Sequence, residues 1–322
     1  MGTIKISNDR LQEIMDSYID LGDESTCENY SINTETLSRY LRLASERGIK
    51  GKLQNKVMRQ IKEMYTNDEL QAIAKGGRIM PGIAKVPIIN FDGKRVRIGH
   101  ITDTHIGSLY TNPERIYQVF EEFKKEGVDF ITHSGDVTEG MSNRPGHIYE
   151  LSELGYAQQK AKAVEVFSQW TDTDIYAIDG NHDRWFIKSG GAKVVEDIAK
   201  EVENFHFLGH DEGDISLGGK ATLKLWHGED GNSYALSYRL QKILESLSGG
   251  EKPNILIAGH VHKYVSIFER NVFAISVGGL QRQTPWMRGK RIAAHVGFVI
   301  GDYWINSQGV SKMRHTWNPF YT

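Results

Sequence analysis

The sequence predicts a layered α/β domain with a small all-helical domain on its N-terminal side. Three observations predict it. Apolar residues within 1–78 recur at helical spacing. From residue 95 onward, short β-rich runs alternate with helical stretches. Between them, residues 79–94 read as a linker and lead-in strand, punctuated by Pro81-Gly82 and Pro87 just after Gly76-Gly77. A length of 322 residues suits one large domain and a smaller one.

In the helical part, Leu11, Ile14, Met15 and Tyr18 follow the i, i+3, i+4, i+7 pattern of one buried helix face. Asn33 or Thr34 can cap a further helix whose inward face is Leu37, Tyr40 and Leu41, with Gly48 as its stop. A short helix, a tight turn and a longer basic helix form the outline of a helix-turn-helix, and Ile32 to Leu41 resembles the recognition-helix region of that family. Residues 35–62 hold eight Lys/Arg (39, 42, 47, 50, 52, 56, 59, 62) against two acids (35, 46), a net of +6. Phosphate neutralisation needs such a face, and Arg39, Arg42, Lys50 and Lys52 are its candidate DNA contacts. The plainer alternative is a helical or protein-docking module with a solvated basic face.

The larger part begins with a strand at Val96–Ile101. Asn112-Pro113 then opens a helix with buried stripe Ile116, Val119, Phe120 and Phe123. Strands follow at 129–133, 174–178, 222–226 and 254–258, with helices at 151–170, 192–203 and 233–247 between them, and further strands near 263–269 and 272–277. Strands alternating with helices, then closing strands, make a layered α/β domain.

Composition sets outer limits. Hydrophobic residues are 39% and charged residues 25%, as in a globular protein, and a net charge of −2 gives the whole molecule no bias toward nucleic acid. The single cysteine, Cys27, excludes an internal disulfide and a Cys-based zinc site, and reads as a small buried hydrophobe. A reducing, cytoplasmic setting fits. No membrane association is expected: the opening residues lack the apolar run of a signal peptide, the myristoylation pattern is poor, and no stretch approaches the roughly 18 apolar residues that span a bilayer.

The chemistry sits at the strand ends. Asp103-Thr104-His105 follows the first strand, Gly135-Asp136 the second, Gly180-Asn181-His182-Asp183 the third, His227-Gly228 the next and Gly259-His260-Val261-His262 the last. Ligands of open α/β sheets bind outside the carboxyl ends of the strands, so five strands are expected to deliver ligands to one edge. The set Asp103, His105, Asp136, Asn181, His227, His260 and His262 mixes carboxylate, amide and imidazole without thiolate. That mixture suits manganese, iron or zinc rather than the all-oxygen shells of magnesium and calcium. Seven ligands exceed one ion and fit two divalent ions sharing a carboxylate; manganese is the first expectation.

Taken in order, these five segments resemble the motifs of calcineurin-like metallophosphoesterases over roughly residues 95–280. The resemblance implies one metal on Asp103, His105, Asp136 and His262, and a second on Asp136, Asn181, His227 and His260, with Asp136 bridging. It makes His182 the non-ligand catalytic histidine and Asp183 the group that orients it. The reaction implied is attack on a phosphoester by a hydroxide shared between the two metals. Gly135-Asp136-Val137-Thr138-Glu139-Gly140 lacks the arginine of the Ser/Thr protein phosphatases. Thr102 to Gly107 looks like the first motif of SbcD-type repair nucleases, and the domain is also similar to that in the small subunit of archaeal D-family polymerases. Glu139 departs from the nuclease pattern, which has a histidine there.

A DNA-directed phosphodiesterase is therefore the first expectation, with a phosphodiesterase of small cyclic or linear nucleotides as the alternative. A binding module with a vestigial site ranks below both, because every ligand position is filled. Arg184, Trp185, Arg144 and Arg282 are candidate substrate contacts, with Phe186, Trp286 and Arg288 nearby; core or lid packing is an equal reading for the tryptophans. His100 and His133 read as packing or supporting residues, and His147 has no ligand-like spacing. An ATPase partner and the oligomeric state are left open.

Overall fold

The computed structural model of the chain describes residues 6–50, 87–89, 91, 94–229, 235–247 and 252–321. Contacts divide the chain into two units, Met1–Met80 and Pro81–Thr322.

In the first unit, α1 (Asn8–Tyr30) is capped by Ser7 and broken at Gly22, whose φ of 80° and ψ of −176° are not helical. After a turn at Ser31 to Asn33, α2 (Thr34–Glu46) starts with the Asn33 side chain accepting from the Thr36 N–H at 2.8 Å. Leu11 and Ile14 pack inward from α1, and Leu37 and Ala44 from α2; Tyr40 and Leu41 are only half-buried. Cys27 is half-buried rather than part of the core. Beyond Gly22 the rest of α1 is followed by the short turn and then α2. Arg39, Arg42 and Lys50 are exposed there, with Arg42 beside Glu46 at 3.8 Å. Lys52 lies outside the described residues.

In the second unit the order is β1 (Arg95–Ile101), α3 (Pro113–Glu126), β2 (Phe130–Ser134), α4 (Gly155–Ser168), β3 (Ile175–Asp179), α5 (Arg184–Gly190), α6 (Val194–Glu201), β4 (Phe205–His210) and β5 (Glu212–Ser216). Then come β6 (Thr222–Trp226), α7 (Tyr238–Ser246), β7 (Ile255–Ala258), β8 (Tyr264–Glu269), β9 (Val272–Val277), α8 (Pro285–Gly289), β10 (Gly297–Asn306) and β11 (Gly309–Pro319). They form a six-stranded sheet, β11-β10-β1-β2-β3-β4, and a five-stranded sheet, β5-β6-β7-β9-β8. β1, β2 and β3 run parallel, as do β6, β7 and β9.

Alternation of side chains builds the layers. Along β7, Ile255 and Ile257 join the core shared with Val96, Ile98 and Val299 of the other sheet, whereas Leu256 and Ala258 pack on Leu240 and Leu244 of α7. The outer face of the six-stranded sheet is covered by α3, α4 and α6 through Ile116, Phe120, Phe167 and Ile198. The result is the layered α/β sandwich expected from the sequence. β4, β5, β10 and β11 are additions to the alternating pattern. β11 sits at the sheet edge, where exposed Lys312, Arg314 and Thr316 alternate with half-buried Met313, His315 and Trp317, a period-two pattern in which only Met313 and Trp317 are apolar. Among the described residues, no helix is long and apolar enough to cross a membrane.

Candidate metal centre

The seven ligand-type residues meet, but not at the edge of one sheet. β1, β2 and β3 deliver Asp103 and His105, Asp136, and Asn181; β6 and β7 of the other sheet deliver His227, and His260 with His262. The backbone there is unusual. Asp103, His105, Asp136, His260 and His262 all lie in the left-handed region, with φ of 50°, 44°, 52°, 78° and 50°. Non-glycine residues seldom adopt it, each at a cost on the order of 1–3 kcal/mol, and such residues cluster where function needs them. Hydrogen bonds between neighbouring loops offset that cost: the Asp103 and His105 N–H groups donate to Gly135 O and Asp136 O at 3.0 Å each, and the His260 N–H donates to Asp103 Oδ2 at 3.0 Å. At Gly135, with φ of 91°, a Cβ would lie 2.5 Å from His227 Nδ1, so only glycine fits beside the ligand.

Among the described residues three groups of ligand-type atoms lie within 4.8 Å of one another: Asp103, His105 and His262; Asp136, His227 and His260; and, sharing His105, a third with Glu139 and His182. Asp136 Oδ2 links the first two, 3.7 Å from His105 Nε2 and 3.1 Å from His227 Nε2. Asn181 Oδ1 is 2.8 Å from His260 Nδ1 and 3.2 Å from His227 Nε2.

Tautomers show what is needed between these atoms. His227 Nδ1 lies 2.7 Å from the Ser134 carbonyl, which can only accept, so Nδ1 carries the proton. In the neutral ring Nε2 then turns a lone pair toward two further acceptors, Asp136 Oδ2 and Asn181 Oδ1. A cation, or an extra proton, reconciles that lone pair with those acceptors. His105 Nε2 and His262 Nε2 lie 3.1 Å apart, where one ring can donate to the other. Charge agrees. Burial alone would raise the Asp103 and Asp136 carboxyls, but the surrounding imidazoles hold both below the ordinary range. Burial opposes charge on His227, yet Asp136 and Asp103 push it up to about 9. Where imidazoles take up protons to relieve buried carboxylates, divalent metal ions fit.

Around this centre several roles differ from the sequence expectation. The His182 N–H donates to Asp136 Oδ1 at 2.8 Å, and its ring Nδ1 is 2.8 Å from the Glu139 carbonyl. Asp183 does not orient His182. Its oxygens accept from the N–H groups of Val137, Thr138 and Gly180 and from the Thr138 hydroxyl at 2.8–3.0 Å, tying the second and third ligand loops together. Burial and the neighbouring Asp136 push the Asp183 carboxyl up to about 7. Arg184 is not free for phosphate: it pairs with Asp179 at 3.1 Å, Asp211 at 2.5 Å and Glu229 at 2.9 Å. Trp185 packs on the His182 ring, centroids 3.9 Å apart. Arg144 lines the cavity above the ligands, whereas exposed Arg282 does not.

Three supporting residues carry no motif of their own. Buried Glu139 contacts His105 Nδ1 at 3.0 Å, His147 Nε2 at 2.9 Å and Gln281 Nε2 at 2.6 Å. Fully buried His147 thus belongs to the site despite its spacing. Arg239 of α7 donates to the carbonyls of His227 and Gly259, joining the two loops of the five-stranded sheet. The position of Glu139, three residues after Asp136, was the one sequence signal for this set.

Comparison with known proteins follows the same segments. Residues 96–296 match the family model of the calcineurin-like phosphoesterase superfamily domain. The DNA polymerase II small subunit of Methanothermobacter thermautotrophicus is 25% identical over 306 residues, covering 78% of this chain. The chain spans about 61% of the length of that relative. Among solved structures, a novel archaeal phosphodiesterase shows 18% identity with a TM-score of 0.42, covering 69% of this chain and 100% of the other. The E. coli phosphoesterase Yfce shows 18% identity with a TM-score of 0.38, covering 68% and 98%.

Proposed function

The chain belongs to the calcineurin-like phosphoesterase superfamily and is a metal-dependent phosphoester hydrolase, and from that premise we propose that it is a phosphodiesterase acting on DNA. The observation that carries the reading is the placement of Asp136 Oδ2 between His105 and His227, as a carboxylate shared by two cation sites would require. One divalent ion would take Asp103, His105, Asp136 and His262, and the other Asp136, Asn181, His227 and His260; manganese is the proposed metal. Two such ions would supply an activated water near neutral pH and a clamp on the phosphate oxygens.

The chain's own groups do the rest. With the ions bound, Asp103 and Asp136 would offset two of their four positive charges, and the remaining field would attract phosphate. His182, held at Nδ1 by the Glu139 carbonyl, presents its other ring nitrogen to the cavity, where it can protonate the leaving oxygen. DNA as substrate is supported by the relative that is a DNA polymerase subunit and by the exposed Arg39 and Arg42 on α2. A second reading, hydrolysis of small cyclic or linear nucleotides, is favoured by the modest size of the cavity over the ligands, about 360 Å³.

The test is incubation with Mn²⁺ and labelled single- and double-stranded DNA, cyclic nucleotides and bis-p-nitrophenyl phosphate. Wild type should cut DNA and Asp136→Ala should not. Cleavage of the cyclic nucleotides and chromogenic diester alone would replace DNA by the second reading; equal DNA cleavage by the variant would remove both.

A further inference from the structure

We propose that His147 is a positioning residue of the metal centre: through Glu139 it steadies the His105 imidazole, and through Ser142 it fixes the turn that carries Arg144. This rests on the two-metal reading above and is independent of DNA as the substrate.

His147 opens a single 3-10 turn, His147–Glu150, just after Gly146 with its φ of 86°. Its side chain is fully buried. Both ring nitrogens have partners, and these fix one tautomer. The Ser142 N–H can only donate, and it meets Nδ1 at 3.2 Å. Nδ1 therefore holds the lone pair and Nε2 the proton. Nε2 lies 2.9 Å from Glu139 Oε1, so the ring donates to that carboxylate.

The carboxylate has two further partners. Glu139 Oε2 lies 3.0 Å from His105 Nδ1 and accepts from Gln281 Nε2 at 2.6 Å. Three parts of the chain thus converge on one buried side chain: the loop after β1, the segment between β2 and α4, and the segment between β9 and β10. The His182 ring stands 3.7 Å from Oε1, too far for a hydrogen bond. His147 is then what holds Oε1. A carboxylate free to turn about its last bond would swing Oε2 off His105, and a donor on the opposite oxygen prevents that.

The other nitrogen organises the turn. The Ser142 hydroxyl accepts from the Arg144 N–H at 3.3 Å, and the His147 N–H donates to the Arg144 carbonyl at 3.1 Å. Residues 142–147 close on the His147 ring in this way, and Arg144, which lines the cavity, sits within the closed turn. Trp185 packs against the same ring, with centroids 5.4 Å apart, while also covering His182. A residue that served packing alone would need volume here, not a donor at one nitrogen and an acceptor at the other.

Substitution separates the two links. In His147→Gln an amide N–H can reach the place of Nε2 and donate to Glu139, but nothing accepts from Ser142. In His147→Asn the amide oxygen can take the place of Nδ1, and the link to Glu139 is lost. His147→Phe fills the volume and has neither. The experiment measures Mn²⁺ binding to the full chain by calorimetry, and amide hydrogen exchange over residues 140–147. Mn²⁺ affinity should fall about tenfold in His147→Asn and His147→Phe and stay near wild type in His147→Gln. Exchange should quicken in His147→Gln and His147→Phe and stay slow in His147→Asn. Equal Mn²⁺ affinity in all four proteins, or His147→Gln and His147→Asn alike in both measurements, would overturn the role and leave the two-metal reading intact. A wild-type protein that binds no Mn²⁺ would withdraw both. Nitrogen-15 spectra of the wild-type imidazoles need no variant: a proton on His147 Nε2 is expected, and one on Nδ1 would overturn the role.

Discussion

Glu139 Oε2 lies 3.0 Å from His105 Nδ1, on the ring edge opposite the Nε2 that faces Asp103 and His262. A carboxylate behind a ligand imidazole fixes the tautomer, leaves Nε2 free to coordinate and raises its basicity. Glu139→Gln keeps the shape and removes the charge. Metal affinity should fall roughly 10–100-fold, and activity should return as Mn²⁺ is raised. A Mn²⁺ titration of activity alongside elemental analysis checks this; an unchanged titration midpoint would remove Glu139 from the site.

His182→Ala separates chemistry from assembly. The bond to Asp136 comes from the His182 main chain, so it survives truncation of the ring. Metal content should therefore stay at the wild-type level while kcat drops roughly 10²–10⁴-fold. Loss of metal together with activity would assign His182 to the scaffold.

Arg184 should behave as a structural residue. It gathers Asp179, Asp211 and Glu229, and the Asp211 carbonyl accepts from the His227 N–H at 2.7 Å. Asp211 and Glu229 are partly exposed, so solvent tempers the loss. Arg184→Ala should cost about 2 kcal/mol in denaturant unfolding, with little change in KM for metal-loaded protein. A large rise in KM at unchanged stability would restore the phosphate-contact reading.

Asp302 gives a pH test away from the metal centre. Burial would raise its carboxyl, but hydrogen bonds from Arg97 and Arg314 outweigh that and hold it below the ordinary value. A carboxylate depressed in the folded state contributes stability above its unfolded pKa, about 4, and loses it as pH falls through the lower folded value. Asp302→Asn should thus be less stable than wild type by a constant margin from pH 5 to 7. The margin should shrink below about pH 4. Urea unfolding at several pH values measures it, and a margin that widens in acid would contradict the sign.

Much of this was written in local sequence. β1, β2, β3, β6 and β7 are short strands rich in apolar residues, and each is followed within two residues by an Asp, Asn or His, so both the strands and the ligands could be read off. What could not be read was which strands lie side by side. The ligands come from two sheets because β4 and β5 turn the chain from one to the other, and no residue pattern marks that switch. Glu139, His147 and Gln281 escape for the same reason: their partnership spans 142 residues between Glu139 and Gln281 and exists only after folding. Arg184 misleads because a basic residue beside a motif looks alike in sequence whether it meets phosphate or three carboxylates.

Asp103, His105, Asp136 and Asn181 hang from one sheet, and His227, His260 and His262 from the other. A pair of ions gripped by both would rivet the sandwich along a single seam, so removing them is a mechanical event as well as a chemical one. With a chelator present, backbone amides at the ends of β2 and β7 should exchange their hydrogens faster, while the β10–β11 hairpin, which lends no ligand, keeps its rates.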